Sequence, residues 1–248
     1  MDEEEREAVL PAPPADLGSW TEGTERYASV PEDQIDRCLG LDDSGGFIPG
    51  FNRKEDPNGL TDPWTPEGRA ELEKDTAVPL TLRWHQKVGV LRMQEQLYAG
   101  KPLLLMDEVG VGKTAQAIAA IAKYAYDRAY YSRCMAFPGM FSTCHDVLHA
   151  TADIDDNLAG DTKLPDNPHG NLPARPHIIV CPVNLVDQWT SELHRWLEHG
   201  AFSVLPYVGA CTLANRTAFW QSWDSLDSPM DRRIILASTS VSTTAPSS

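Results

Sequence analysis

The residues with the clearest chemical potential lie in one short run, Asp107-Glu-Val-Gly-Val-Gly-Lys-Thr114. Gly110 and Gly112 allow a tight turn that brings backbone N–H groups against an anion. Lys113 is spaced to reach the terminal phosphates of a nucleotide, and the hydroxyl of Thr114 is spaced to ligate Mg²⁺. The run therefore predicts a phosphate-binding loop.

The flanking residues have the order that such a loop requires. Leu103 to Met106 are apolar and predict a buried strand, and an alanine-rich helix is predicted from Lys113 to about Tyr126. The N-terminus of that helix adds unpaired N–H groups and a partial positive charge. The general phosphate-loop pattern has glycine where this chain has Asp107, so the pattern is met with one departure.

That departure is the normal form, D-E-x-G-x-G-K-T, in one branch of the helicase-like ATPases, and further segments resemble the same branch. The run from Leu82 to Gly89 is similar to that family's L-R-x-[YH]-Q-x-x-G segment, and the run from Ile178 to Trp196 resembles its motif Ia. The run from Arg233 to Val241 is loosely similar to the next strand. Over roughly residues 80 to 241 the chain resembles the N-terminal RecA-like lobe of the Swi/Snf-type, DNA-translocating, chromatin-remodelling ATPases.

This resemblance implies a fold, cofactors and site residues. The implied fold is α/β, a partial RecA-like phosphate-loop NTPase lobe with a doubly wound, mostly parallel sheet. The implied cofactors are ATP and Mg²⁺, the implied partner is DNA or nucleosomal DNA bound by the parent enzyme, and the implied location is the nucleus. In the family, the glutamine that corresponds to Gln86 reads the adenine edge, which suits an amide that both donates and accepts. The implied nucleotide-binding residues are Gln86, Asp107, Glu108, Gly110, Val111, Gly112, Lys113 and Thr114, with Thr114 also on the metal.

Strand and helix patterns alternate along the same part of the chain, which is typical of a doubly wound sheet. Apolar residues at helical spacing predict a helix from Arg83 to Ala99, and another is predicted from Leu213 to Trp223. Short apolar runs predict strands at Ile178–Cys181, Val204–Tyr207 and Ile234–Ala237.

Charge divides the chain into parts. Residues 1–75 contain 20 Asp and Glu against 7 Lys and Arg, a net charge of −13, whereas the other 173 residues contain 16 against 14, a net charge of −2. We expect residues 1–75, which also contain several prolines, to be largely disordered. The lobe is expected over residues 76–241 and a low-complexity tail over 242–248. Binding a protein partner through its widely spaced aromatic residues is one interpretation of the acidic segment, and the favoured interpretation is that these aromatic residues have no special role.

Residues 132–176 interrupt the α/β pattern. They are rich in Pro, Gly and Asp, and we predict a surface insertion there. Zinc binding is one interpretation of its cysteines and histidines, but these lack the closely spaced cysteine pair of structural zinc sites, so solvated loop residues are the favoured interpretation. The residues concerned are Cys134, Cys144, His145, His149 and His169.

Composition excludes several other classes of protein. No stretch approaches 18 uninterrupted apolar residues, and the acidic run Asp2–Glu5 has the wrong sign for a signal or transit peptide. Five irregularly spaced cysteines favour reduced thiols over a disulfide framework. We therefore expect a soluble intracellular protein without a membrane span.

Hydrolysis requires groups that this chain does not contain. The resembled family supplies a metal-binding carboxylate and a water-positioning group from a D-E-x-H segment, and arginines from a second lobe. Neither is found between Ile234 and Ser248. Two interpretations stay open: a fragment of a DNA-dependent ATPase that is not hydrolytically competent alone, which we favour, or a non-enzymatic nucleotide-binding or interaction protein derived from one. An unrelated phosphate-loop kinase is disfavoured by Gln86 and by residues 178–197.

Overall fold

The computed structural model describes residues 24–142, 172–209 and 212–239. The helices in these ranges are α1 (Glu32–Leu39), α2 (Pro66–Leu72), α3 (Trp84–Tyr98), α4 (Lys113–Cys134), α5 (Val186–Trp196) and α6 (Leu213–Asp224). The strands are β1 (Lys54–Glu55), β2 (Val78–Pro79), β3 (His177–Cys181), β4 (Ser203–Tyr207) and β5 (Arg233–Ser238). Within these ranges, no helix combines the length and the hydropathy that crossing a membrane requires.

The central sheet has the strand order β3-β5-β4, and both pairs are parallel. Alternate residues of β5 point to opposite faces of the sheet. On one face Leu236 packs with Val186 of α5, and on the other Ile235 packs with Phe219 of α6. Helices therefore cover both faces, which confirms the predicted α/β, doubly wound architecture.

The alanine-rich helix α4 forms the centre of the lobe. Its side chains Ile118, Ala119 and Ala122 are fully buried, and the small alanines let α3 pack closely against it. The helix continues past the predicted end near residue 126 and ends at Cys134, where Met135 adopts a left-handed conformation. The first residues of the predicted insertion are therefore helical.

The histidines and Cys144 of the predicted insertion lie outside the described residues, as do residues 143–171 as a whole. Cys134 is described and exposed. Among the described residues no group of three or more metal-ligating side chains comes together.

The predicted strand at Leu103–Met106 is wrong. Residues 101–108 have no strand conformation, and Leu104 and Met106 are 75% and 63% exposed. A strand needs a neighbour for its N–H and C=O groups. Within the described residues the central strand β5 already pairs on both sides, and residues 103–106 pair with no strand. The outer edge of β3 is also unpaired within these residues, and its Ile178 and Val180 are more than 60% exposed.

The N-terminal segment differs from the predicted disorder wherever the structure describes it. Residues 1–23 lie outside the described residues, but from Thr24 onward the chain joins the core of the lobe. Ile35 and Leu39 of α1 are fully buried. Overall acidity predicted disorder, but these two residues, one helical turn apart, give α1 an apolar face that packs on α3.

An ion pair strengthens the contact between α1 and α3. The ammonium of Lys87 lies 2.8 Å from a carboxylate oxygen of Glu32 and 2.8 Å from one of Asp36, and the Lys87 side chain is only 7% exposed. Burial alone would lower the pKa of Lys87, but hydrogen bonds and charges from Asp36 and Glu32 outweigh burial and raise it. Two of the acidic residues of α1, Glu32 and Asp36, are thus partners of a buried lysine.

A second contact joins the N-terminal segment to the end of α5. The indole N–H of Trp64 donates to the carbonyl of Leu197 at 2.7 Å, and its ring stacks on His194 with centroids 4.0 Å apart. The amide of Asn52, which is 8% exposed, also lies at this helix end. Helix ends leave carbonyl groups without helical partners, and this segment supplies donors for them.

Candidate nucleotide-binding site

The run at 107–114 forms a turn that leads directly into α4. Gly110 and Gly112 have φ values of +90° and +88°, a left-handed conformation that side chains other than glycine rarely adopt. Gly112 is the N-cap residue, and α4 begins at Lys113. The N–H groups of the first helical turn have no helical partners and, together with the helix dipole, favour an anion at this turn.

The ammonium of Lys113 closes the loop. It donates to the backbone carbonyls of Asp107 and Glu108, each at 2.7 Å. Phosphate oxygens are stronger acceptors than backbone carbonyls because they are charged, so a bound phosphate would compete for the same donors. Thr114 follows in the first turn and is half-buried. One hydroxyl ligand fits Mg²⁺, which keeps several waters and takes phosphate oxygens as further ligands.

Gln86, at the start of α3, lies against the loop and is 8% exposed. Its amide N–H donates to the carbonyl of Val111 at 3.1 Å, and its amide oxygen accepts from the backbone N–H of Arg83 at 2.9 Å. A Cβ atom on Gly112 would lie 2.1 Å from the Gln86 amide nitrogen, so this approach requires glycine. The structure thus shows Gln86 in contact with the loop, and adenine reading by it stays a prediction.

Two residues that the sequence analysis did not single out also contact the loop. The ring nitrogen Nε2 of His85 lies 3.1 Å from the Val111 carbonyl. The amide of Gln116, in the first turn of α4, donates to the carboxylate of Asp107 at 2.9 Å. Gln116 is fully buried in an alanine-rich part of the helix. A single polar residue among these alanines is the sequence feature that could have identified Gln116 as a candidate site residue.

All eight predicted site residues come together around this one turn. Gly110 and Gly112 form the turn, Lys113 and Thr114 begin the helix, and Gln86 approaches from α3. The remaining three residues accept hydrogen bonds within the site. The acceptors are the carboxylate and carbonyl of Asp107, the carbonyl of Glu108 and the carbonyl of Val111. Their role in holding a nucleotide stays a prediction that this clustering supports.

A glycine-bearing turn at the N-terminus of a helix, packed with a doubly wound parallel sheet, is typical of a phosphate-loop ATPase lobe. Comparison with family models gives the same class. The SNF2-related domain matches residues 85–234, which are 150 of the 248 residues. The chain therefore belongs to this family, the Swi/Snf-type ATPases, and the predicted resemblance is confirmed. A comparison with curated proteins found no match.

Proposed function

We propose that this chain is the ATP-binding lobe of a Swi/Snf-type, DNA-dependent ATPase and that it holds ATP with Mg²⁺ at the turn formed by residues 107–114. The observation that carries the proposal is the position of the Lys113 ammonium, 2.7 Å from two loop carbonyls at the N-terminus of α4. A cation at this place, beside unpaired helix N–H groups, is what a polyphosphate requires.

Each predicted residue has a role in this proposal. Lys113 and the N–H groups around Gly110 and Gly112 hold the phosphates, and Thr114 ligates Mg²⁺. Bound Mg²⁺ supplies charge neutralisation for the phosphate oxygens. In this proposal the amide of Gln86 releases the Val111 carbonyl and forms hydrogen bonds with the base instead, and these bonds favour adenine over guanine.

We further propose that this lobe binds ATP without turning it over when it is alone. The 248 residues contain no D-E-x-H segment after the sheet strand β5 and no second lobe with arginines. Action on DNA or nucleosomal DNA in the nucleus then belongs to an enzyme in which further elements complete the site.

An exposed apolar surface supports the part of the proposal in which further protein elements pack against this lobe. Leu104 and Met106 beside the loop, and Ile178 and Val180 on β3, are each more than 60% exposed. Exposed apolar groups at a strand that lacks a partner on one side, within the described residues, are typical of a surface that other protein elements cover.

Nucleotide binding by the purified full chain tests the proposal. Calorimetry with Mg²⁺ should detect binding of ATP and ADP, weaker binding of GTP, and a loss of about tenfold or more in ATP affinity on Lys113→Ala, as expected when a charged hydrogen-bond donor is removed. Lys101→Ala, at an exposed lysine outside the loop, is the matched control and should bind ATP like the unchanged chain. Equal ATP binding by Lys113→Ala and the unchanged chain would refute the proposal.

A further inference from the structure

We propose that Asp107, which stands where the general phosphate-loop pattern has glycine, is a positioning residue that fixes the start of the loop through the buried amide of Gln116. This inference rests on the proposed nucleotide function of the loop. It assigns a task to the one position at which the chain departs from the general pattern.

The geometry of the amide shows that Asp107 determines how Gln116 is oriented. Gln116 is fully buried, and its Nε2 donates to Oδ2 of Asp107 at 2.9 Å. An ionised carboxylate only accepts hydrogen bonds, so the NH₂ end of the amide must face it. The opposite atom, Oε1, is buried and has no hydrogen-bond partner within the described residues. The amide of Gln116 therefore takes this orientation because of its hydrogen bond to Asp107, although Oε1 is then left without a hydrogen-bond partner.

Glycine at position 107 would leave the buried amide of Gln116 without the one hydrogen bond that the structure gives it. Buried polar groups are rarely left unpaired because water cannot replace the missing partner. Gly89 of α3 belongs to the same arrangement, because a Cβ atom there would lie 1.9 Å from Oε1 of Gln116. The three residues thus join α3, α4 and the start of the loop into one packed unit.

The same residue also holds the ammonium of the loop. The side chain of Asp107 binds Gln116, while its backbone carbonyl accepts from Lys113 at 2.7 Å. Fixing residue 107 therefore fixes one of the two carbonyls around which Lys113 is arranged. Without the side-chain bond, the start of the loop would have to be ordered when a nucleotide binds, and that ordering reduces affinity.

Three variants of the full chain test this role. Asp107→Gly restores the general pattern but removes the carboxylate, Asp107→Asn keeps an oxygen that can accept from Gln116, and Gln116→Met keeps the buried volume without the amide. Affinity for Mg²⁺-ATP is measured by calorimetry well below the melting temperature of each variant. We expect about tenfold weaker binding for Asp107→Gly and for Gln116→Met, and affinity within about threefold of the unchanged chain for Asp107→Asn.

The melting temperature without nucleotide is the second readout. A merely structural role would lower it and leave the affinity of the folded protein unchanged, which would overturn the inference. If the unchanged chain binds no nucleotide, the proposed function fails first. If it binds and Asp107→Gly or Gln116→Met binds equally well, the inference is overturned while the proposed function stands. Weakened binding in both, with affinity retained by Asp107→Asn, supports the inference.

Discussion

The side-chain amide of Asn52 donates to the backbone carbonyl of Arg195 at 2.8 Å, although the two residues lie 143 positions apart in the chain. The same nitrogen also lies within 3.1 Å of the carbonyls of His194 and Leu197. These carbonyls end α5 and have no partner in the helix itself. The acidic segment of residues 1–75, whose charge predicted disorder, therefore contains the residue that caps α5, the helix of motif Ia.

Replacing Asn52 should destabilise the protein. Asn52→Ala removes the shared donor from a buried position, so we expect the free energy of unfolding to fall by about 1–3 kcal/mol. Asn52→Asp should cost more, because a carboxylate would face carbonyl oxygens. Urea unfolding measures both, with the exposed Asn184→Ala as control. A midpoint for Asn52→Ala equal to that of the control would contradict the capping role.

Removing residues 1–75 should destabilise the lobe more severely. Ile35 and Leu39 are fully buried in the same core cluster as Leu91 and Leu197, so the shortened chain would expose part of that core. We expect it to melt over a broad range and to bind hydrophobic dyes. Leu39→Ala in the full chain, which leaves a cavity, should cost about 2–5 kcal/mol. A sharp melt of residues 76–248 at the temperature of the full chain, without dye binding, would show that the segment does not support the fold.

Lowering the pH should destabilise the protein through His177. Burial lowers the pKa of His177, and the hydrogen bond to the Asp231 carbonyl and the charge of Asp231 oppose this only in part. The imidazole of the unfolded chain takes up a proton near pH 6.5, before that of the folded chain does. The stabilising contribution is therefore complete above about pH 6.5 and is lost as the pH falls toward the lower pKa of the folded protein.

Melting temperatures at pH 7.5 and 5.5 check this pH dependence. The unchanged chain should lose more stability between the two values than His177→Gln, whose amide can still donate to the Asp231 carbonyl. His199→Gln, at an exposed histidine, should keep the pH dependence of the unchanged chain. The same loss in His177→Gln as in the unchanged chain would mean that another group carries the effect.

DNA should not stimulate ATP hydrolysis by this chain. Without the carboxylate pair and the arginines, the transition-state charge has no stabilising partners, and loss of an arginine finger alone lowers the rate by about 10³–10⁵. Phosphate release by the purified chain, with and without duplex DNA, should equal that of Lys113→Ala. Stimulated turnover above this background would show that residues of this chain supply the missing chemistry.

The sequence predicted those parts of the fold that local patterns determine. Apolar runs predicted β3, β4 and β5 to within one residue at each end, and the predicted helix over 83–99 is observed as α3. Val88 and Leu91 of this helix are buried, and Gly100 follows the helix in a left-handed conformation. The start of α4 was also predicted, because the phosphate-loop pattern and the alanine-rich run indicate the same residue.

Features that depend on distant partners could not be predicted in this way. The apolar run at 103–106 has strand character, but a strand also needs a neighbour that pairs with it. The bond between Gln116 and Asp107 depends on how closely α3 approaches α4 at Gly89. Asn52 has no local pattern that names the end of α5 as its partner. In each case the contact that determines the structure joins segments whose separation along the chain does not predict that they will meet.

Gln86 and Lys87 are consecutive residues in the first turn of α3, yet one contacts the phosphate loop and the other contacts the acidic helix α1. About 100° separates them around the helix axis, so the turn cannot rotate under one contact without moving the other. A ligand that moves this turn of the helix would therefore also change the distances from the Lys87 ammonium to Glu32 and Asp36. By thermodynamic linkage, the free energy by which the ligand changes the Lys87 contacts equals the free energy by which those contacts change the affinity for the ligand. One helical turn thus couples the phosphate loop to α1.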